Sequence, residues 1–456
     1  METIPILPAP ATIKISPGSL KIKDKIKISA PKKIKKVTGV FEELVQKTGL
    51  VISGEKQSLE INLRTTRDNC LKQLGNEAYF LKVTKDKISI QAFHPHGFFN
   101  ALMSCLQLLE SKNIPCLEII DYPRFPHRGL LLDPARNFLG LDCLREVLDL
   151  MAKLKMTVLH FHLSDDQGWR FESKTFPLLH KVGGQKCYYT QKELKDLVAY
   201  ADQRFITIIP EIDLPGHCSA LLAAYPNLSC SEETVKLPRL PGIYSNIICP
   251  FKEEVYCFLE KLLAEVVSVF PAPTIHTGGD EVFPKDWGSR KNRQKHLANF
   301  TQRLSSLLRR FGKSMTVWDE AIKYSPKNTT VQIWRSPKLA QTAAERKNPI
   351  IISPVNPWYL NYPNFFWKLK KTYLFEPTEG LNPQEAKLVI GGEGCLWGEF
   401  VPELKVIPKL FPRLLAIAEV LWSPKEKRNW TDFKVRATKM NEQLQKEKTA
   451  CPKRYN

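Results

Sequence analysis

The sequence predicts an α/β protein, a (β/α)8 TIM barrel preceded by a small α+β domain. Three observations predict it. From residue 123 onward, eight apolar strand-like runs alternate with helical stretches. Acids and tryptophans stand at the C-terminal ends of those runs, the end at which barrel sites are built. Residues 1–122 follow a different rhythm, so the domains are expected at 1–122 and 123–456.

In the first unit, IKI, LKIK and KIKIS within residues 11–30 alternate apolar and lysine residues, the pattern of half-buried strands. VTGVFEELVQKTGL predicts a helix from about Val40, stopped at Gly49. SLEINLR and FLKVTKDKISIQAF read as further strands. A second helix, HGFFNALMSCLQLLESKN, places Phe98, Leu102, Cys105, Leu106 and Leu109 on one face and closes the unit. His94 and His96, in the turn before it, lack an acid or cysteine at ligand spacing and read as turn residues.

DYPRFPHRG then links to the barrel. Its strands are read in GLLLDPARN, MTVLHFHLSDD, FITIIPEID, PTIHTGGDE, SMTVWDE, TVQIWRS, PIIISPVN and LVIGGEGCLWGE. CLREVLDLMAKL, QKELKDLVAYADQR and EEVYCFLEKLLAEVVSVF supply intervening helices. Between WDE and TVQIW there is little room for one, so that element is expected to be abbreviated.

Composition narrows the function. With 43% hydrophobic and 10% aromatic residues the chain can build a large core. No apolar run reaches the roughly 20 residues that span a bilayer. The N-terminus lacks the basic flank and apolar block of a signal peptide, which points to the cytoplasm. Eleven cysteines without C-x-x-C or zinc spacing point to reduced, mostly buried thiols. The net charge of +20 comes from lysines spread along the chain, which fits a solvated surface and no nucleic-acid partner. Oligomeric state leaves no mark.

The chemistry centres on TIHTGGDEV, where Asp280 and Glu281 follow two glycines that let a ligand approach the backbone. Asp165, Glu399 and several tryptophans accompany them at other strand ends. Carboxylates without a catalytic cysteine, phosphate loop, serine elbow or metal set imply acid-base chemistry on an uncharged substrate, with no cofactor and no metal. Aromatic walls with acids suit sugars. Glycosidases ordinarily oppose two carboxyls across the bond. Neighbours on an extended strand point to opposite faces, so this pair suits a mechanism in which the substrate supplies its own nucleophile.

HTGGDEV, with RGLLLDPARN, HFHLSDDQGWR, PEIDLPGH, a VW strand end and GGEGCLWGE, resembles glycoside hydrolase family 20, the β-N-acetylhexosaminidases. The motifs run in family order from 123 to about 425, and the first 120 residues resemble the small domain that precedes that barrel. The resemblance implies exo-removal of terminal β-linked N-acetylglucosamine or N-acetylgalactosamine with retention, through an oxazolinium intermediate formed by the substrate's acetamide oxygen.

On that resemblance Glu281 is the general acid, with burial expected to raise its pKa. Asp280 accepts the acetamide N–H, and Tyr359 aims the acetamide oxygen. Trp318, Trp334 and Trp397 box the acetamide methyl. Arg128 and Glu399 grip the ring hydroxyls, Asp165 and His217 support the site, and Asn361 stands near the hydroxymethyl end, where many bacterial members carry aspartate. The second arginine of RGLLLDPARN, Arg136, sits in an altered context, and the short, basic stretch 286–311 implies an open outer rim. A barrel that binds amino sugars without turning them over is the alternative reading. Expected partners are therefore an amino-sugar oligosaccharide or glycoconjugate.

Overall fold

The computed structural model describes residues 4–450 apart from 56, 67, 284–286, 288–289 and 364–367, so part of the stretch expected to form the outer rim lies outside the described residues. The first unit is a seven-stranded sheet. In spatial order its strands are Thr12–Lys21, Asn113–Asp121, Tyr79–Val83, Lys87–Ala92, Leu59–Thr65, Lys25–Ser29 and Val51–Ile52. Alternation works as expected in Leu59–Thr65, where Leu59, Ile61 and Leu63 are buried and Glu60 and Asn62 are half-buried.

Two expectations need correction. The first helix runs Lys35–Gln46, five residues earlier than Val40, because Val37 already joins the buried face. Strand Asn113–Asp121 was not expected, the second helix being read as closing the unit, and it carries Pro115, a residue uncommon inside strands. Here Pro115 faces Ser19, beside the register shift between Ile15 and Ser19 in the neighbouring edge strand. Helix Pro95–Leu109 is buried along nearly its whole length because it packs between this sheet and the barrel helix Leu141–Lys153.

The barrel closes with eight parallel strands: β1 His127–Leu132, β2 Val158–His162, β3 Thr207–Glu211, β4 Thr274–His276, β5 Ser314–Trp318, β6 Thr330–Ile333, β7 Ile350–Ile352 and β8 Val389–Leu396. Each pairs with its sequence neighbour, and β8 returns to β1 from Gly391↔His127 to Leu396↔Leu132. Between β5 and β6 only the 3-10 turn Asp319–Lys323 is present, the abbreviated element the sequence implied.

Buried charges join the two domains. Asp121, ending the sheet strand, accepts from Lys155 Nζ at 2.9 Å, Tyr79 Oη at 2.7 Å, Trp422 Nε1 at 2.9 Å and the Ala11 amide. A carboxylate so engaged compensates a lysine with no exposed side-chain surface. Among the described residues no helix is long and apolar enough to cross a membrane. The expectation of thiols throughout is corrected by a disulfide between Cys230 and Cys249. Their Cα atoms lie 4.9 Å apart because Cys249 N donates to Leu228 O, and spacing 19 residues along the chain held no hint of it. Cys105, Cys116, Cys143, Cys218 and Cys395 are buried and free of disulfides, as expected.

Candidate active site

Strand β4 stops at His276 and the chain turns at Thr-Gly-Gly, as the sequence suggests, but Asp280 and Glu281 lie in that turn and not on the extended strand assumed for the pair. Gly278 and Gly279 take φ of +63° and +91°, and Glu281 itself takes +47°. A Cβ on Gly278 would lie 1.7 Å from Asp213 Oδ1, so the first glycine is required by both backbone and space. The turn is held from two sides. Gly279 N donates to Asp213 Oδ1 at 3.2 Å, and Glu281 N donates to Glu320 Oε2 at 2.9 Å.

Beside the turn, Trp318, Tyr359 and Trp397 pack as one buried cluster with Leu131 and Cys395, and Trp334 lies against it. Ring centroids are 5.8 Å apart for Trp318 and Trp397, 6.0 Å for Tyr359 and Trp397, and 6.4 Å for the stacked Trp334 and Tyr359. Each ring is aimed by its own strand end. Trp318 N donates to Gly278 O, and its Nε1 donates to Glu211 Oε1 at 2.8 Å. The Asp319 carboxylate accepts the Trp334 and Arg335 amides at 3.0 Å each. The Tyr359 carbonyl accepts from buried Arg413 at 3.0 Å. Asp280 Oδ1, Trp334 Nε1 and Glu399 Oε2 are buried polar atoms without a hydrogen-bond partner, as befits a pocket that receives a polar guest.

Asp280 and Glu281 share one cation. His217 Nε2 lies 3.4 Å from Glu281 Oε2 and 3.8 Å from Asp280 Oδ2, while its Nδ1 lies 3.2 Å from both Asp165 Oδ1 and Asp166 Oδ2. Burial works against charge on His217, but Asp165 outweighs it and holds the imidazole well above its ordinary range. The burial expected of Glu281 is not found, since its side chain is 27% exposed at the rim of the turn. Asp280, at 14%, is the enclosed one. Burial, then the negative charges of Glu211, Glu320 and Glu281, raise its pKa to about 7 against the pull of His217.

Arg128 does not reach this pocket. It opens β1 at the opposite, N-terminal end of the barrel, where its guanidinium meets Glu77 Oε2 at 2.5 Å and the carbonyls of Lys155 and Phe125 at 2.7 Å. The arginine at the rim is Arg136, four residues beyond the end of β1, noted in the sequence for its altered context but given no role there. It contacts Asp133 Oδ2 at 2.9 Å, Asp165 Oδ2 at 2.8 Å and Glu399 Oε1 at 3.9 Å, and lies 5.2 Å over the Trp397 ring. The signal was available, because a residue at the start of a barrel strand faces the end away from the site. Asn361 follows Tyr359 by two residues, its backbone carbonyl held by Lys409 Nζ at 2.7 Å and its Oδ1 unpartnered.

Ligand-type side chains also converge below the pocket, as His160 with Glu211 and His276. Their polar atoms face one another, with His160 Nε2 and His276 Nδ1 at 3.0 and 2.9 Å from Glu211.

Known proteins show the same architecture. Residues 125–425 match the glycosyl hydrolase family 20 catalytic domain, and residues 3–122 match domain 2 of that family. A beta-hexosaminidase of Akkermansia muciniphila is 32% identical over 83% of this chain and 86% of its own length. One from Porphyromonas gingivalis is 33% identical over 79% of this chain, which spans about half (52%) of that longer protein. The pig beta-hexosaminidase subunit beta is 32% identical over 85% of this chain and 77% of its own length. Among solved structures, the exo beta-N-acetylglucosaminidase of Vibrio harveyi in complex with N-acetylglucosamine superposes with a TM-score of 0.87, at 29% identity, over 98% of this chain and 78% of that one.

Proposed function

We propose, since the chain belongs to glycosyl hydrolase family 20 and is a glycosidase, that it removes terminal β-linked N-acetylhexosamine from a glycan, with retention, using the sugar's acetamide as nucleophile. The observation that carries this reading is the clustering of Trp318, Trp334, Trp397 and Tyr359 beside the Asp280–Glu281 turn. Three tryptophan faces around a tyrosine hydroxyl suit a methyl group with a carbonyl next to it. A glucoside lacking the acetamide would leave that box unfilled.

In this mechanism Tyr359 donates to the acetamide oxygen and turns it toward the anomeric carbon. Asp280, as the carboxylate, accepts the acetamide N–H and stabilises positive charge as the oxazolinium ring closes. Glu281, as the acid, protonates the departing glycosidic oxygen, then takes a proton from the water that opens the ring. His217, charged and backed by Asp165, holds the two carboxyls apart in role. Arg136 with Glu399, in place of Arg128, takes the outer hydroxyls of the non-reducing sugar, and Asn361 borders them. That grip on the outer hydroxyls favours exo-action.

The test pairs two chromogenic substrates, the nitrophenyl N-acetyl-β-glucosaminide and the matching β-glucoside. Turnover of the first with the second close to inert is expected. Brisk hydrolysis of the glucoside would refute assistance by the acetamide. Sugar binding without turnover of either would leave only an amino-sugar-binding barrel.

A further inference from the structure

Barrels of this type fill their interior with layers of branched apolar side chains. This one does not. Below the pocket, charged groups alternate along the barrel axis. His162 Nε2 meets Asp165 Oδ2 at 2.8 Å, and its Nδ1 meets Glu211 Oε2. Glu211 Oε2 lies 3.0 Å from His160 Nε2, and His160 Nδ1 lies 2.9 Å from Glu393 Oε2. Glu393 Oε1 ends the series 2.6 Å from His127 Nε2, in the wall of a cavity of about 530 Å³ under the barrel. Through Asp165 and His217 the series continues upward to Glu281.

We infer that His162, Glu211, His160 and Glu393 are positioning residues of the hydrolase, a column of alternating charge that sets the pH at which Asp280 becomes a carboxylate. The inference rests on the role proposed above for Asp280. Burying so many charges where leucine would pack is costly, and a pairing that serves packing alone is poorly matched to that cost. Glycine makes the room: a Cβ on Gly129 would meet the Glu393 carboxyl at 2.8 Å.

The charges are held firmly. Burial works to raise Glu211, but His162, His276 and His160 outweigh it and keep it well below the carboxylate range. Burial likewise opposes charge on His160, yet Glu393 and Glu211 raise it to about 9. Glu393, faced also by His127, Cys395 and the neutral donor Gln332, lies far below its ordinary value despite burial. Asp280 feels the column directly through Glu211, alongside His217, Glu320, Asp213 and Glu281. The His160 Nε2 contact to Glu211 is not aligned as a hydrogen bond, so the column carries field and not a proton.

Charge removal at the two ends of one pair gives opposite signs. Glu393→Gln deletes a negative charge while His160 keeps Glu211, so the limb of the kcat/KM profile set by Asp280 is expected to move to lower pH. His160→Gln deletes a positive charge, and that limb is expected to move up. A unit charge roughly 10 Å away, at an effective dielectric of about 20, shifts a proton affinity by about tenfold, so displacements of about half a pH unit or more are expected. Glu393→Asp keeps the charge and should leave the limb in place. The tryptophan fluorescence of ligand-free protein, titrated in parallel, should report the same displacements of Asp280 without any turnover. Any one charge-changing variant that folds decides the matter. A limb and a fluorescence midpoint that superpose on the wild type, or that move in one direction for both variants, would overturn the inference. A wild type inert toward the glucosaminide at every pH would instead remove the mechanism of the preceding section, with the fluorescence midpoints still judging the column.

Discussion

Asp280 carries a cost that asparagine would not. Its pKa stands at about 7 against an ordinary 3.8, chiefly from burial and from Glu211, Glu320 and Glu281. Below pH 3.8 the group is protonated in folded and unfolded chains alike, so it costs nothing. Between 3.8 and about 7 the unfolded chain releases the proton and the folded one keeps it, so stability falls as pH rises, and above about 7 the full penalty applies. At about 1.4 kcal/mol per tenfold change in proton affinity, the gap corresponds to about 4 kcal/mol as a ceiling, and relaxation around the ion leaves about 2 kcal/mol. Asp280→Asn should therefore be more stable than the wild type by about 2 kcal/mol at pH 8, with the advantage vanishing toward pH 4. The same variant should lose turnover even on activated aryl glucosaminides, because asparagine cannot support the charge on the acetamide nitrogen. Urea unfolding across that pH range, beside the turnover assay, measures both. A stability difference that does not change with pH, or an asparagine variant weaker at pH 8, would refute the reasoning.

Three further outcomes are expected. Glu281→Gln should lower turnover by about 10² to 10⁴ for poor leaving groups and less for strongly activated ones, read from a series of aryl glucosaminides; equal losses across the series would remove its role as acid. The two arginines should separate: Arg128→Gln strands Glu77 in the domain interface and should cost about 3 kcal/mol in urea unfolding with kcat/KM little changed, whereas Arg136→Lys should lower kcat/KM by about tenfold or more with stability nearly kept. Gly278→Ala forces a methyl into the Asp213 carboxyl at a φ of +63°, so it should abolish turnover and lower the unfolding midpoint, which circular dichroism and the nitrophenyl assay would both register.

Much of the molecule was readable before any coordinates. Period-2 alternation and apolar runs give strands directly, and eight of them with helices between leave few alternatives to a closed barrel. The aromatic cluster was readable because Trp318, Trp334 and Trp397 each stand just where a strand ends, and strand ends converge. What failed were properties that depend on which way a chain end points. Arg128 and Arg136 sit in one decapeptide, and only the strand's span, His127–Leu132, tells which of them faces the rim. The left-handed backbone of Glu281 turns its side chain toward solvent, and two glycines alone do not announce that. The strand with Pro115 was missed, its partner's bulge being non-local, and Cys230–Cys249 is set by a loop whose ends meet only in the fold. The charge column was invisible for the same reason: HFH, PEI and GGE become one stack only when the barrel closes.

The junction between the domains bears on how the chain can be divided. Lys155 belongs to the barrel, yet its carboxylate, Asp121, belongs to the sheet, and Arg128 likewise finds Glu77 only across the boundary. A barrel severed at residue 122 would be left with two cations, and the indole of Trp422, turned toward empty floor. The small domain is thus the foundation on which the barrel stands, and chimaeras between relatives are best cut so that floor and walls travel together.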